Sequence, residues 1–210
     1  MVGLIGSPMG MGATMGLTPI AFLAVWTGMM AAMMAPSVAP VGMLYARTMQ
    51  TIRAPRLAAF GLAYLLVWGL AGIPALMLGT ALDAYQMDDL RAGRLLLAGA
   101  LAVCGLYELS PLKQACLRHC RSPLGLLMHY SAYQGQLRDF RAGLHHALYC
   151  LGCCWALMVV LVAVGTMNIL AMVLLAVVIL VEKQWSRGVL FSRLVGVAAL
   201  VLAGVVAVTA

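Results

Sequence analysis

Long apolar runs recur along the chain and restrict it to very few folds. The 210 residues are 64% hydrophobic and 9% charged, whereas a water-soluble domain carries roughly a quarter charged residues. In hydrocarbon every backbone N–H and C=O must be bonded internally, which only α-helices and closed β-barrels achieve. Because the runs are continuous rather than alternating in polarity, the sequence predicts an all-α polytopic transmembrane bundle.

A spanning helix needs about 20 apolar residues, and six spans are predicted. They are Leu17–Tyr45, Leu57–Leu82, Gly93–Leu109, Gly143–Val164, Asn168–Val181 and Val189–Val208. The fifth is short, so it would thin the bilayer or extend past Glu182. Residues 1–16 form a Met/Gly-rich tail, either a disordered leader or a metal-collecting segment, without the basic start of a signal peptide. Residues 17–210 form a single six-helix transmembrane domain.

Basic residues alternate between the connections. The first, third and fifth connections hold 11 of the 13 Lys and Arg residues. Because Lys and Arg concentrate in short cytoplasmic loops, both termini are predicted to lie outside. The third connection, residues 110–142, is then a basic Cys/His cytoplasmic loop. The expected location is the bacterial inner membrane, and this topology accounts for the net charge of +7 without nucleic acid as a partner.

Four methionines fall within a stripe of about 140° on one face of the first span: Met29, Met30, Met33 and Met34. Thioethers are soft ligands that favour Cu(I), although Met is also a flexible packing residue. Pro36 and Pro40 follow the stripe, and each removes a backbone donor, so the helix is expected to kink or end there. Neighbouring helices or a polar cavity would have to bond the freed carbonyls.

The fourth span carries a face of soft donors. On a helical wheel His146, Cys150, Cys153 and Cys154 lie within about 100° of one another, whereas His145 points elsewhere. Thiolate and imidazole ligands suit Cu(I), Zn(II) or iron. Free cysteine is also common as a small buried hydrophobe, so packing is the alternative interpretation.

The third connection contains Cys116, His119 and Cys120. The two cysteines are one turn apart if the segment is helical, and Lys113 with two arginines is expected to lower their pKa values. Low-pKa thiols bind metals or exchange disulfides, but the spacing is not the CxxC of redox folds. In the alternative interpretation, the basic residues of this loop only set the membrane topology, and the cysteines have no function.

Acidic residues occur at the predicted cytoplasmic ends of two spans. Glu108 and Glu182 are of interest because ionisable groups in a membrane are costly and usually functional. Glu182 precedes Lys183, so an interfacial ion pair is the alternative. Asn168 is expected to cap the fifth span. The sequence shows no hydrolase triad, phosphate-binding loop or dinucleotide fingerprint, and so does not point to an enzyme.

Four blocks carry a resemblance to a known family: WTGMMAAMMAPSVAP, YELSPLKQACLRHCRSP, GLHHALYCLGCCWALM and GTMNILAMVLLAVVILVEK. In these blocks the chain resembles the bacterial predicted metal-binding integral membrane proteins, a domain of unknown function sometimes labelled a copper chaperone. The blocks reach from Trp26 to Lys183, about three quarters of the chain. The resemblance points to the following positions as functional: Met29, Met30, Met33, Met34, Cys116, Cys120, His146, Cys150, Cys153, Cys154, Met167, Asn168, Glu182 and Lys183. Of these, all but Met167, Asn168 and Lys183 are predicted metal ligands. Ala147 departs from the pattern, where a glycine is expected.

The leading hypothesis is therefore a membrane protein that handles copper, with zinc and iron as alternative metals. Soft sites in the third connection and in the fourth span would pass Cu(I) by ligand exchange, opposite the methionine stripe. A metallochaperone or a larger membrane complex is the expected partner beside the lipid bilayer. Two other classes stay open: a thiol-disulfide oxidoreductase, and an accessory subunit of a larger membrane enzyme.

Overall fold

The computed structural model describes residues 17–48, 53–86, 90–122, 125, 128–130, 135, 137–165 and 168–210. Across these residues the secondary structure is helical, with no strand. The longer helices are α1 Pro19–Thr48, α2 Arg53–Gln86, α3 Leu90–Leu109, α4 Pro111–Cys120, α5 Arg138–Val164, α6 Ile169–Gln184 and α7 Gly188–Val208. The predicted tail, residues 1–16, and Met167 lie outside the described residues.

Five helices, α1, α2, α3, α5 and α7, are long and apolar enough to cross a membrane. They confirm five of the predicted spans to within a few residues. The remaining predicted span, the fifth in chain order, is α6, which has 16 residues. At 1.5 Å per residue such a helix covers about 24 Å, less than the roughly 30 Å of a hydrocarbon core.

Close helix packing rests on glycines. A methyl group added to Gly143 of α5 would lie 2.3 Å from the carbonyl oxygen of Phe60 in α2, and one added to Gly105 of α3 would lie 2.7 Å from that of Gly196 in α7. Lipid gives helices no hydrophobic reason to associate, so small residues that let backbones approach are the usual solution. These contacts fix α2 against α5 and α3 against α7.

The prolines of α1 do not end the helix, which continues through Pro36 and Pro40 to Thr48. The missing N–H of Pro40 would have bonded the carbonyl of Pro36, four residues earlier. Gln184 Nε2 of α6 donates to that carbonyl instead, at 3.0 Å. The expected compensation by a neighbouring helix is therefore present, and it ties α6 to α1.

Helix α4 lies within the predicted cytoplasmic loop, but it is not a solvated segment. Ser110 accepts a hydrogen bond from the backbone N–H of Lys113 at 3.2 Å, and Pro111 occupies the first turn, so the helix has a strong start. The side chains of Lys113 and Leu117 are fully buried. The apolar face of α4 packs on the bundle, mainly against α5.

The connection between α5 and α6 is short. Gly165 ends α5 with a φ of 110°, a conformation that side chains with a Cβ disfavour. Asn168 then caps α6, because its side-chain oxygen accepts from the N–H of Ala171 at 3.0 Å. The predicted cap is confirmed.

Candidate metal site

The methionine stripe of α1 and the cysteine face of α5 point toward each other. Met30, Met33 and Met34 are buried and Met29 is partly buried. On α5, His146, Cys150, Cys153 and Cys154 are at most 3% exposed. With Cys120 of α4, the sulfur-bearing residues belong to one core cluster. The structure thus brings together side chains from three parts of the sequence.

Cys150 occupies the middle of this cluster. Its Sγ lies 4.0 Å from the Sδ of Met34, 3.1 Å from the hydroxyl of Tyr64 and 2.9 Å from the Nζ of Lys183. A thioether, a phenol and an ammonium group therefore surround one thiol. The ammonium at hydrogen-bond distance would offset the charge of the thiolate, which is the form that binds metals.

The neighbouring thiols are held by the backbone and by one another. Cys153 and Cys154 each donate to the carbonyl of Cys150, at 3.1 and 2.9 Å. The thiol of Cys120 in α4 lies beside that of Cys153. Cys116 approaches α5 at Gly152, where a methyl group would lie 3.2 Å from its Sγ. All six cysteines of the chain are free thiols.

The prediction that basic neighbours lower the pKa values of the loop thiols is wrong. Burial, together with nearby Cys153, raises the pKa of Cys116 despite the charge of Lys113. The hydrogen bond with Cys153, together with burial, raises the pKa of Cys120 well above its usual value. The basic groups are engaged elsewhere, since Arg121 donates to the carbonyls of Trp185 and Ser186.

Lys113 is the centre of a buried ionic network. Its Nζ donates to Glu108 Oε1 at 2.6 Å and to Glu182 Oε2 at 2.8 Å, and Ser192 donates to Glu108 Oε2 at 2.6 Å. The four residues are at most 1% exposed. Burial disfavours the ammonium form, but Glu182 and Glu108 outweigh this and raise the pKa of Lys113. The network joins α3, α4, α6 and α7 beside the thiols.

Glu182 and Lys183 do not pair with each other, so that alternative is wrong. Adjacent residues on a helix point about 100° apart. Glu182 therefore reaches Lys113, whereas Lys183 reaches Cys150. Sequence reasoning missed Lys183 and Tyr64 as neighbours of Cys150. The sequence does contain a signal for Lys183, because a lysine directly after a long apolar run is often directed towards a functional partner.

His146 lies at the edge of the thiol cluster, between the rings of Phe60 and Tyr64, with centroid distances of 5.9 and 6.1 Å. Its Nδ1 is buried and makes no hydrogen bond to any residue that the structure describes. Burying an unsatisfied polar atom is costly. His146 therefore has a free donor or acceptor facing the protein interior.

The donor set suits a soft ion. Within the described part of the chain, no three His, Cys, Asp or Glu side chains surround a common point for a metal. The soft contact is instead between a thiol and a thioether, Cys150 and Met34. Thiolate and thioether ligands select Cu(I) over hard cations.

Together the fold and this site define a class: polytopic helical proteins with soft sulfur donors in the core. The family model PpoB2, described as copper chaperone, matches residues 23–206. The chain therefore belongs to this copper chaperone family, and the resemblance seen in the sequence is confirmed. No curated protein and no solved structure matches the chain significantly.

Proposed function

We propose that the protein binds Cu(I) inside the membrane and passes it between soft sites. The contact between Met34 and Cys150 supports this most directly, because it joins soft donors 116 residues apart in the sequence. The family described as copper chaperone makes copper the favoured metal.

Charge balance supports a univalent soft ion at this site. Binding Cu(I) requires a thiolate, so the thiol proton is released when the ion binds. One thiolate neutralises Cu(I), and a second leaves a negative charge that the ammonium of Lys183 offsets. Lys183 is 2.9 Å from Cys150 and would hold the occupied site near neutrality in a medium where net charge is costly.

A path for the ion follows from the thiol contacts. Cys116 and Cys120 on α4 would receive Cu(I), Cys153 would take it from Cys120, and Cys150 with Met34 would hold it deeper in the bundle. Because the connections rich in Lys and Arg are expected in the cytoplasm, α4 would lie on the cytoplasmic side of a bacterial inner membrane, with both termini outside. A cytoplasmic metallochaperone or a larger membrane complex would then exchange copper at this end.

The test is Cu(I) bound per chain, measured on protein purified in detergent under reducing conditions. Cys150→Ser with Cys153→Ser should remove the bound ion, and Met34→Leu should weaken binding at nearly constant side-chain volume. Met43→Leu is the matched control, because Met43 lies on the same helix and is 60% exposed. Unchanged stoichiometry in the double cysteine variant would refute the proposal.

One contact favours a second function, thiol-disulfide exchange. Cys120 and Cys153 come from different helices, and their thiols lie beside each other in the same buried cluster. Mild oxidation followed by alkylation and mass measurement distinguishes the functions. An exchange protein should form a reversible Cys120–Cys153 disulfide, whereas a copper carrier should show thiols that Cu(I) protects from alkylation.

A further inference from the structure

A second group of metal-ligating side chains lies outside the thiol cluster. His145 of α5 has its ring 5.3 Å from that of His119 in α4 and 4.8 Å from that of His129. Tyr149 stacks on His119 with a centroid distance of 3.9 Å. The ring of His145 therefore lies beside two imidazoles from other segments, at the end of the bundle where α4 lies.

Two pairs of these rings, His119 with His145 and His129 with His145, have the separation expected of two ligands of one ion. Metal–nitrogen bonds of about 2.1 Å place each ring centroid roughly 3.2 Å from the metal, so two rings on a tetrahedral ion have centroids about 5.3 Å apart. The observed separations are 5.3 and 4.8 Å. In the described residues no three such side chains already surround a common point, so the proposed site requires the rings to rotate about their side-chain bonds when the ion binds.

Two of the imidazoles have nitrogen atoms without partners. His119 Nε2 and His145 Nδ1 are buried and make no hydrogen bond to another described residue. Leaving two such atoms unsatisfied costs free energy, which a bound ion would recover. Packing alone gives no reason to collect three imidazoles and leave two of them unbonded.

The two clusters face in different directions from the same helices. On α4, His119 belongs to the imidazole group and Cys120 to the thiol cluster. On α5, His145 belongs to the imidazole group and His146 to the thiol cluster. Neighbouring residues on a helix differ by about 100°, so each helix presents nitrogen to one group and soft donors to the other.

We propose that His119, His129 and His145 form a separate site for a divalent ion of borderline softness, such as Zn(II) or Cu(II). Imidazole nitrogen is the ligand that these ions prefer, whereas the sulfur-rich cluster selects Cu(I). The site lies at the more open edge of α4, where His129 is exposed. It does not depend on copper binding by the thiols.

Co(II) is the probe, because its absorption reports ligand type. The reduced chain in detergent should bind Co(II) with visible ligand-field bands but without the charge-transfer band of a cobalt–thiolate bond. His119→Gln with His145→Gln should weaken this binding at least tenfold. Cys150→Ser with Cys153→Ser should leave the ligand-field bands intact. Zn(II) should displace the cobalt.

The outcomes separate this site from the proposed copper function. Loss of Co(II) binding in the cysteine variant, or a cobalt–thiolate band in the unaltered chain, would overturn the imidazole site. Retained Co(II) binding in a chain that takes up no Cu(I) would refute the copper function alone. His129→Gln alters an exposed side chain, so it tests the site even if the double variant misfolds; unchanged Co(II) affinity would remove His129 from the site.

Discussion

The ammonium of Lys183, at the end of α6, lies 2.9 Å from the thiol sulfur of Cys150, in the middle of α5. The chain has only two lysines, Lys113 and Lys183, and both are directed into the bundle. One bonds carboxylates and the other bonds a thiol. Each ammonium group thus has specific partners inside the protein rather than water.

Replacing Lys183 by methionine should weaken Cu(I) binding about 10- to 100-fold. A hydrogen bond to a charged group contributes about 1.5–3 kcal/mol, and 1.4 kcal/mol is a factor of ten in affinity. Competition with a chromophoric Cu(I) chelator would measure it. Arg187→Gln is the control, since Arg187 is an exposed base in the next turn. Equal losses in both variants would mean that overall charge, not the contact, matters.

Lys113→Met should destabilise the fold by about 3–5 kcal/mol, because it leaves two carboxylates buried without a counter-ion. Thermal unfolding in detergent would report the loss. Adding Glu108→Gln and Glu182→Gln to the same chain removes those charges and should recover most of the stability. If the triple variant were no more stable than Lys113→Met, the network would stabilise the fold through side-chain packing and not through charge pairing.

Gly143→Ala should separate α2 from α5. The added methyl group would meet the Phe60 carbonyl at 2.3 Å, and neither backbone can yield easily. Overpacking of this kind costs about 1–3 kcal/mol. Gly28→Ala, where nothing lies within 4 Å, should be neutral or slightly stabilising. Melting temperatures of the two variants in the same detergent provide the comparison, and equal values would contradict the close approach.

Alkylation of Cys116 should be slow at neutral pH and rise through a midpoint above 9.0, because burial raises its pKa above that ordinary value. A raised pKa means less thiolate at pH 7, and the thiolate is the reactive form. Rates measured by peptide mass spectrometry from pH 7 to higher pH would show it. A thiol introduced by Ser122→Cys, at an exposed position, should titrate near the ordinary value. A midpoint for Cys116 below the control would contradict the structure.

The membrane bundle could be predicted from the sequence because apolar length and helical period are local properties. For the same reason, the sequence predicted one helix face that carries Met33 and Met34 and another that carries Cys150 and Cys153. That they meet is a matter of tertiary packing, which no local pattern specifies. The contact between Met34 and Cys150 therefore had to come from the structure.

Charge partners were the least predictable feature. Glu182 and Lys183 are neighbours in sequence, yet their side chains leave α6 in different directions to reach Lys113 and Cys150. The burial of α4 could not be predicted either, because a lysine in a polar connection is expected to be solvated and the sequence does not show that Lys113 bonds two carboxylates. The sequence predicted low pKa values for Cys116 and Cys120 from nearby basic residues. In the structure Lys113 is bonded to two carboxylates and Arg121 to two backbone carbonyls.

The anchoring of α4 determines how cargo can be exchanged. Lys113 is bonded to α3 and α6 at once, so this helix cannot swing outward to meet a donor. In the proposed function Cys116 and Cys120 would be stationary receptors, unlike the thiols of a mobile arm. A delivering protein would have to bring its own metal-bearing loop to the edge of the bundle, and the shape of that edge, rather than any movement of α4, would decide which proteins can deliver.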